Sequence, residues 1–174
     1  MDYTIRPVEP GDAPGIAALR RMPGVFENTL GLPSCRTADS AAFLASLGPN
    51  DHNFVAAAED GTIIAAAGLQ VCSNPRMRHV GSIGLFVHTD YQNQGVGTAL
   101  MKAILDLADN WLMLVRVELE VFADNERAIH LYEKLGFEQE GLLRMTTVRC
   151  GQYADEYKMA RLRPAVGYAV KPSV

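Results

Sequence analysis

Residues 91–101 read YQNQGVGTALM, and they separate an apolar run from an amphipathic one. The run before them, about 79–88, has the composition of a strand, and Gly95 to Asn110 has the period of a helix. Gly95 and Gly97 remove side chains where the chain turns sharply and where a ligand can come close. The backbone amides of Asn93 to Thr98 then become the unpaired donors of a helix N-terminus. They sit at the positive end of the helix dipole, a setting that suits a pyrophosphate. Other phosphate loops fit less well. There is no GxxxxGK[ST], and Gly95-Val96-Gly97 lacks the third glycine of a dinucleotide fingerprint. From the glycines alone, a plain strand-to-helix turn is an equal reading.

Working outward, residues 114–122 form the next strand, so strand 79–88, helix 95–110 and this strand make one βαβ unit. Its two strands are expected to be parallel, with a right-handed crossover. By alternation, Val115, Val117, Leu119 and Val121 share one face, and Arg116, Glu118, Glu120 and Phe122 the other. Two carboxylates on one face of an interior strand need water or a cation. An amine-binding cleft would meet that need; so would open solvent or a salt bridge to Arg116. Asn125 to Leu135 reads as a further helix, with Gly136 where a C-terminal cap belongs. Asn125, Ile129 and Tyr132 lie on one side of it, roughly two turns apart end to end. On the residues alone, Asn125 reads first as an N-cap and Tyr132 as packing.

The remaining segments complete a mixed α/β pattern. A first strand covers 3–8. Asp12 is placed to cap a helix from Ala13, with Pro14 in its first turn and Ile16, Leu19 and Met22 turned inward. Residues 23–36 are irregular, and Thr37 is placed to cap a second helix ending at Gly48. NFVAAAE and TIIAAAGLQVC form two strands about Asp60-Gly61, and a loop covers Ser73 to Arg78. Residues 138–149 and 153–162 form a last hairpin about Cys150-Gly151. Residues 1–163 are read as one domain and 164–174 as a tail.

With 174 residues the chain has the length of a single domain, at 48% hydrophobic and 21% charged. Its net charge of −4 argues against a general nucleic-acid binder. The start MDYTIRPVEPGD lacks the basic and apolar regions of a signal peptide, and no apolar run is long enough to span a bilayer. Cys35, Cys72 and Cys150 form no CxxC pair, which points to a reducing cytoplasm rather than a disulfide framework or zinc cluster. Cys72 and Cys150 read as strand fillers, and His88 and His130 as surface residues. No HExxH or clustered ligand set calls for a metal, and no GxSxG calls for a covalent nucleophile.

The pattern Gln92-x-x-Gly95-x-Gly97 resembles the acyl-CoA pyrophosphate loop of the GNAT superfamily of N-acetyltransferases. VFADNERAIHLYEKLGF, residues 121–137, is similar to that superfamily's second signature, with Asn125, Tyr132 and Gly136-Phe137 in their places. ENTLGLP (27–33), DNW (109–111) and GQYADEYKMAR (151–161) resemble the bacterial L-amino-acid N-acetyltransferases of the superfamily. The resemblance implies a central mixed seven-stranded sheet with helices on both faces and splayed parallel strands 4 and 5. It implies acetyl-CoA as co-substrate, its pantetheine arm lying between strands 79–88 and 114–122. Leu85, Phe86 and Val87 are then expected to bond that arm, and a strand amide near Val87 to meet the carbonyl oxygen. Gln92, Asn93, Gln94, Gly95, Val96, Gly97 and Thr98 are expected to hold the pyrophosphate. Asn125 is expected to touch the cofactor, and Tyr132 to lie at the sulfur as the acid.

A glutamate at the place of Glu120 serves as base in the ribosomal-protein branch, and in the amino-acid branch that position is not reliably acidic. The base is therefore Glu120 or ordered water. The resemblance further implies direct acetyl transfer to a small-molecule primary amine, an apolar free amino acid such as Met or Phe. Its pocket would come from residues 25–33 and the last hairpin, with Phe26, Glu27, Leu30, Leu32 and Tyr153 as candidates. His79 would either face that pocket or cap its strand. Runner-up acceptors are a protein N-terminus, a polyamine or an amine antibiotic. A non-catalytic acyl-CoA-binding sensor is the alternative of another class, against which Tyr132 and Glu120 weigh. Homodimers are common in the superfamily, and the last hairpin and tail are the segments that would contribute.

Overall fold

A computed structural model describes residues 2–163. β1 (Tyr3–Pro7), β2 (Asp51–Ala58), β3 (Ile63–Val71) and β4 (Val80–Val87) form an antiparallel run. β5 (Arg116–Phe122) joins β4 in parallel, and β7 (Gln152–Leu162) and β6 (Glu138–Arg149) close a seven-stranded sheet of order β1-β2-β3-β4-β5-β7-β6. α1 (Ala13–Arg20) and α2 (Thr37–Ala45) precede β2; α3 (Val96–Asp106) crosses from β4 to β5; and α4 (Glu126–Lys134) follows β5. The expected mixed sheet with parallel central strands is the architecture observed.

Each face of the sheet has its own core, and period-two alternation assigns residues to one or the other. On one face Leu100, Met101 and Ile104 of α3, with Ile129 and Tyr132 of α4, pack on Leu69, Ile83, Val117, Leu119 and Val121. On the other, Ile16 and Leu19 of α1 and Val25 pack on Val55, Ala57, Ile63 and Ala66. Leu85 and Val87 therefore turn toward α3, and Phe86 turns toward α1.

β4 and β5 pair only through Val80↔Arg116, Gly81↔Val117 and Ser82↔Glu118. A Cβ on Gly81 would come within 2.7 Å of Leu69 Cδ1 and 2.8 Å of Leu114 Cδ1, so glycine is what allows the close approach at this closed end. Beyond Ser82 the strands separate. His88 N donates to Ile64 O and Cys72 N to Val80 O, both at 2.9 Å. These bonds make the even-numbered residues of β4 the partners of β3, and the alternation of an antiparallel ladder turns the backbone groups of Ile83, Leu85 and Val87 toward the gap. On the far bank Ala123 N donates to Asp155 O (2.9 Å) and Arg163 N to Val115 O (2.8 Å). The same alternation therefore turns the backbone of Glu120 and Phe122 toward the gap.

Local expectations are met at the turns. Gly61 (φ +86°), Gly136 (φ +87°) and Gly151 (φ +77°) are left-handed, and Cys150 (φ +51°) joins Gly151 in the β6–β7 turn. Cys150 is thus an exposed turn residue and not a strand filler, while Cys72 is half-buried just past β3. α3 passes at Asp106 into a π turn over Leu107–Trp111, so the helical run reaches the expected length with its last turn widened. There Asp109 takes a bidentate pair from Arg161 (2.8 Å and 2.8 Å), which ties the crossover to β7. The second helix is capped by Arg36, whose amide and guanidinium bond Asp39, and not by Thr37. The expected tail, 164–174, lies outside the described residues.

Asp12 takes the N-cap position of α1 as expected, but its side chain makes no capping bond to the helix. Its carboxylate accepts from both guanidinium nitrogens of Arg6 (2.8 and 2.7 Å) and from the Glu9 amide (2.8 Å), closing the turn between β1 and α1. Its side chain is only 8% exposed. The Arg6 bonds, more than the opposing effect of burial, hold its carboxyl below the usual 3.8. A folded-state value below the unfolded one contributes stability above about pH 4, and that contribution is lost as pH falls through the folded value. Asp12→Asn is expected to lower stability by about 1–3 kcal/mol at pH 7. Urea unfolding should show the gap from wild type closing as the pH is brought below 3.8.

Candidate active site

The parting of β4 and β5 opens a cavity of about 900 Å³ that runs through the sheet from the α3/α4 face to the α1/α2 face. At its α3 end lies the turn that the glycines mark. Asn93 (φ +60°) and Gly95 (φ +84°) are both left-handed, which folds the chain back into the helix start. Ala99 N makes the first helical bond, to Gly95 O at 2.9 Å. Among the described residues, the amides of Asn93 to Thr98 find no protein acceptor. Asn93, Gly95, Gly97 and Thr98 line the cavity. Gln94 and Val96 turn their side chains elsewhere: Gln94 Nε2 donates to Asp90 O (2.6 Å), and Val96 is buried in the core. Gln92 Nε2 donates to Val87 O (3.0 Å), tying the turn to the end of β4.

Of the three expected β4 residues, Leu85 and Val87 present main-chain groups to the gap, whereas the main chain of Phe86 serves β3 and its ring lines the other end of the cavity. Asn125 is an N-cap, its Oδ1 accepting from Ala128 N at 3.2 Å, and it also lines the cavity. Tyr132 is 7% exposed, its ring tilted by 59° against that of Phe137 with centroids 5.9 Å apart. No protein group among the described residues bonds its hydroxyl, and the residue lines the cavity. Burial pushes that phenol up to about 12.

The α1/α2 end is polar on one wall. β5 and β7 set Glu120 opposite Lys158 and Phe122 opposite Glu156. Lys158 Nζ donates to Glu118 (2.9 Å) and Glu120 (3.3 Å), and Arg116 bonds Glu118 (2.7 Å) and Glu140 (2.8 Å). Burial works against the Glu118 carboxylate, yet the bonds from Lys158 and Arg116 hold its carboxyl below the usual range. Burial also works against the Lys158 ammonium, and the glutamates reverse that and raise it. The two strand carboxylates thus have cationic partners from both Arg116 and β7. Glu120, Glu156 and Lys158 line the cavity.

The opposite wall is the segment after α1: Gly24, Val25, Asn28, Thr29, Leu30 and Gly31, with Arg20 beside them. Phe26 and Glu27 do not reach the cavity. Glu27 instead accepts from Gly24 N (2.6 Å), which shapes the turn, and Leu32 points to solvent. His79 is exposed at the closed end of the strand pair, where its carbonyl accepts from Val115 N (3.0 Å) and Arg116 N (3.1 Å), so it faces no pocket. Tyr153 is 67% exposed and borders a separate hollow with Asp124, Arg149 and Cys150. His88 accepts from Asp90 N through Nδ1 (3.2 Å), and His130 is exposed at the cavity rim. Glu156 and Lys158 lie within GQYADEYKMAR, where nothing local sets them apart from their neighbours, and Arg20 belongs to no motif. Of these, Lys158 and Glu156 follow from alternation once β7 is registered on β5; Arg20 has no local signal. Among the described residues, no group of three or more His, Cys, Asp or Glu is placed to hold a metal.

A sheet split at its centre, with a bare-amide helix start on one side and an ion-paired carboxylate wall on the other, defines an acyl-CoA-dependent transferase. Residues 25–137 match the Acetyltransferase (GNAT) family, and the chain belongs to it. It is 33% identical to the L-amino acid N-acetyltransferase AaaT of Escherichia coli, over 93% of this chain and 99% of that protein. It is 35% identical to the N-alpha-acetyltransferase RimI of Mycobacterium tuberculosis, over 70% of this chain and 73% of that one. The crystal structure of a GNAT acetyltransferase from Streptococcus pneumoniae superposes with a TM-score of 0.78 at 27% identity, covering 92% of this chain and 99% of that one. Among the described residues, no helix is long and apolar enough to cross a membrane.

A Cβ on Gly97 would meet Val87 Cγ2 at 3.3 Å and Leu85 Cδ2 at 3.5 Å, so the start of α3 rests directly on β4. Gly97→Val is expected to push the helix start off β4 and raise the KM for acetyl-CoA roughly ten- to a hundredfold in steady-state assays. Gly95→Ala meets nothing within 4 Å and bears only its left-handed backbone, a cost of about 1–2 kcal/mol.

Proposed function

We propose that the protein transfers the acetyl group of acetyl-CoA directly to the α-amino group of an apolar L-amino acid. The observation that carries the choice of acceptor is Arg20. It lines the α1/α2 end of the cavity with no acidic group at ion-pair distance among the described residues, Asp39 acting on it only from further off, beside Leu30, Phe43, Leu44 and Phe86. A guanidinium matches a carboxylate bidentately, and the apolar neighbours suit an apolar side chain. A polyamine carries no carboxylate and would be repelled by that cation. Likeness to AaaT over nearly the whole chain supports the same acceptor class.

The unpaired amides of Asn93 to Thr98 fit a pyrophosphate, and the main-chain groups of Leu85 and Val87 fit the amides of a pantetheine arm. Asn125 borders that arm's path. The acceptor amine is protonated at neutral pH and must lose its proton before it attacks. Glu120 takes that proton directly or through water, with Lys158 holding one of its oxygens. The Val87 amide lies at the gap to meet charge on the carbonyl oxygen.

Tyr132 donates a hydrogen bond to the departing sulfur. A free thiol has a pKa of about 8.5, well below a phenol pushed up to about 12. Full proton transfer from Tyr132 to the thiolate is therefore uphill, and the phenol acts as a fixed donor that stays protonated across the neutral range.

Following free thiol with acetyl-CoA and single amino acids or polyamines tests the reading. Turnover with Met or Phe and none with spermidine supports it; the reverse order sinks the acceptor. Tyr132→Phe should lower kcat about a hundredfold or more while the Kd for acetyl-CoA, by calorimetry, stays within about twofold. Arg20→Met should raise the amino-acid KM about tenfold or more and leave the KM of a simple alkylamine unchanged.

A further inference from the structure

Glu156 is a buried carboxylate for which the acetyl-transfer scheme has no use. It is 6% exposed and lines the cavity from β7, opposite Phe122 and two positions along the same face from Lys158. Its one side-chain partner is the hydroxyl of Thr146, which donates to Oε2 at 2.7 Å. Among the described residues no Lys, Arg or His lies within ion-pair distance of it. The neighbouring acids differ. Glu118 is held by Arg116 and Lys158, and Glu120, with its side chain 49% exposed, is held by Lys158.

An ionised carboxylate buried with one neutral donor is costly unless a cation completes the pair. Lys158, two positions along β7, is already shared between Glu118 and Glu120, and Arg149, over the Phe122 ring, is paired with Asp124, so neither completes the pair and a bound cation can. The position favours an ammonium ion. The carboxylate shares a face of β5 and β7 with Glu120 and Lys158, lines the same cavity as Arg20 and Asn28, and lies on the side of the sheet away from α3, whose start suits phosphates.

We propose that Glu156 is the seat of the acceptor's ammonium group, which it holds by a charge-assisted hydrogen bond through Oε1 while Thr146 fixes Oε2. This rests on the amine-acceptor reading above and divides the work of the wall. Glu156 binds the charged amine, and Glu120, tied to Lys158, receives the proton that leaves it. An acceptor is then recognised by charge at the nitrogen, so a neutral isostere without the amine loses its principal contact.

Steady-state kinetics with L-Phe or L-Met test the assignment, with 3-phenylpropanoate as a competitive probe that lacks the amine. Glu156→Gln is expected to raise the acceptor KM about tenfold or more, with the acetyl-CoA Kd unchanged by calorimetry. It should also narrow the preference of the site for Phe over 3-phenylpropanoate. Glu156→Asp should recover part of the loss. Thr146→Val, at an exposed position, should raise the acceptor KM several-fold and provides a reading if the Gln variant folds poorly. Glu120→Gln should instead act on kcat. An acceptor KM within about twofold of wild type in Glu156→Gln and Thr146→Val, with wild type turning over amines, overturns the seat alone. Failure of wild type to acetylate any amine overturns both the seat and the transfer reading.

Discussion

Two parallel strands that share only three register pairs, Val80↔Arg116 to Ser82↔Glu118, and then part, govern everything else in this molecule. A sheet gains from pairing every backbone group, and unpaired ones away from water are costly. Here the centre of the sheet carries two edges, held open because each strand is fully engaged on its other side, β4 by β3 and β5 by β7. At the closed end, Gly81 lets Leu69 and Leu114 approach, and the His79 carbonyl takes two β5-side amides. At the open end, the Gln92 side chain satisfies Val87 O. What remains unpaired between these points is a row of donors and acceptors that a ligand with amide groups can complete.

The cavity that results is chemically asymmetric because alternation sends successive side chains of β4 and β5 to opposite faces. The α3/α4 face receives Leu85, Val87, Leu119 and Val121, so the donor side is an apolar passage ending in bare helix amides. The other face receives Glu118, Glu120 and Phe122, and β7 adds Glu156 and Lys158 in register. Tyr132 stands at the boundary, buried enough to hold its proton and free enough at its hydroxyl to give a hydrogen bond. Acetyl transfer needs these two environments within reach of each other, and a split sheet is a direct way to join them.

The ion pairs on the acceptor wall are partly exposed, and such pairs contribute little to stability individually. Their consequence is one of allocation. Arg116 and Lys158 neutralise Glu118, Glu120 and Glu140, and Glu156 is left as the buried acid of that wall without a cation among the described residues. Arg20 lines the same cavity and has no ion-pair partner among the described residues.

Much of the fold was legible in the sequence. The glycine turn after β4, the alternation of β5, the left-handed glycines at 61, 136 and 151, and the N-cap at Asn125 each depend on contacts within a few residues, and local rules reach that far. Asp12 escaped those rules because its partner, Arg6, sits on the preceding strand and outcompetes the helix start. The bare-amide turn and the α4 residues that line the cavity were readable for the same reason as the fold: they lie in two contiguous motifs. The α1/α2 end of the cavity was not. Phe26, Glu27, His79 and Tyr153 had suitable chemistry but face elsewhere, while Arg20, Glu156 and Lys158 reach the cavity from α1 and β7. By itself, then, the amino-acid order determined the strands, the helices, the bare-amide turn and the family. Only the tertiary structure decided which charges share the cavity, because pairing β7 on β5 sets Lys158 against Glu118, 40 positions away, and docking α1 on the sheet brings Arg20 to the same cavity, and no local pattern encodes such distances.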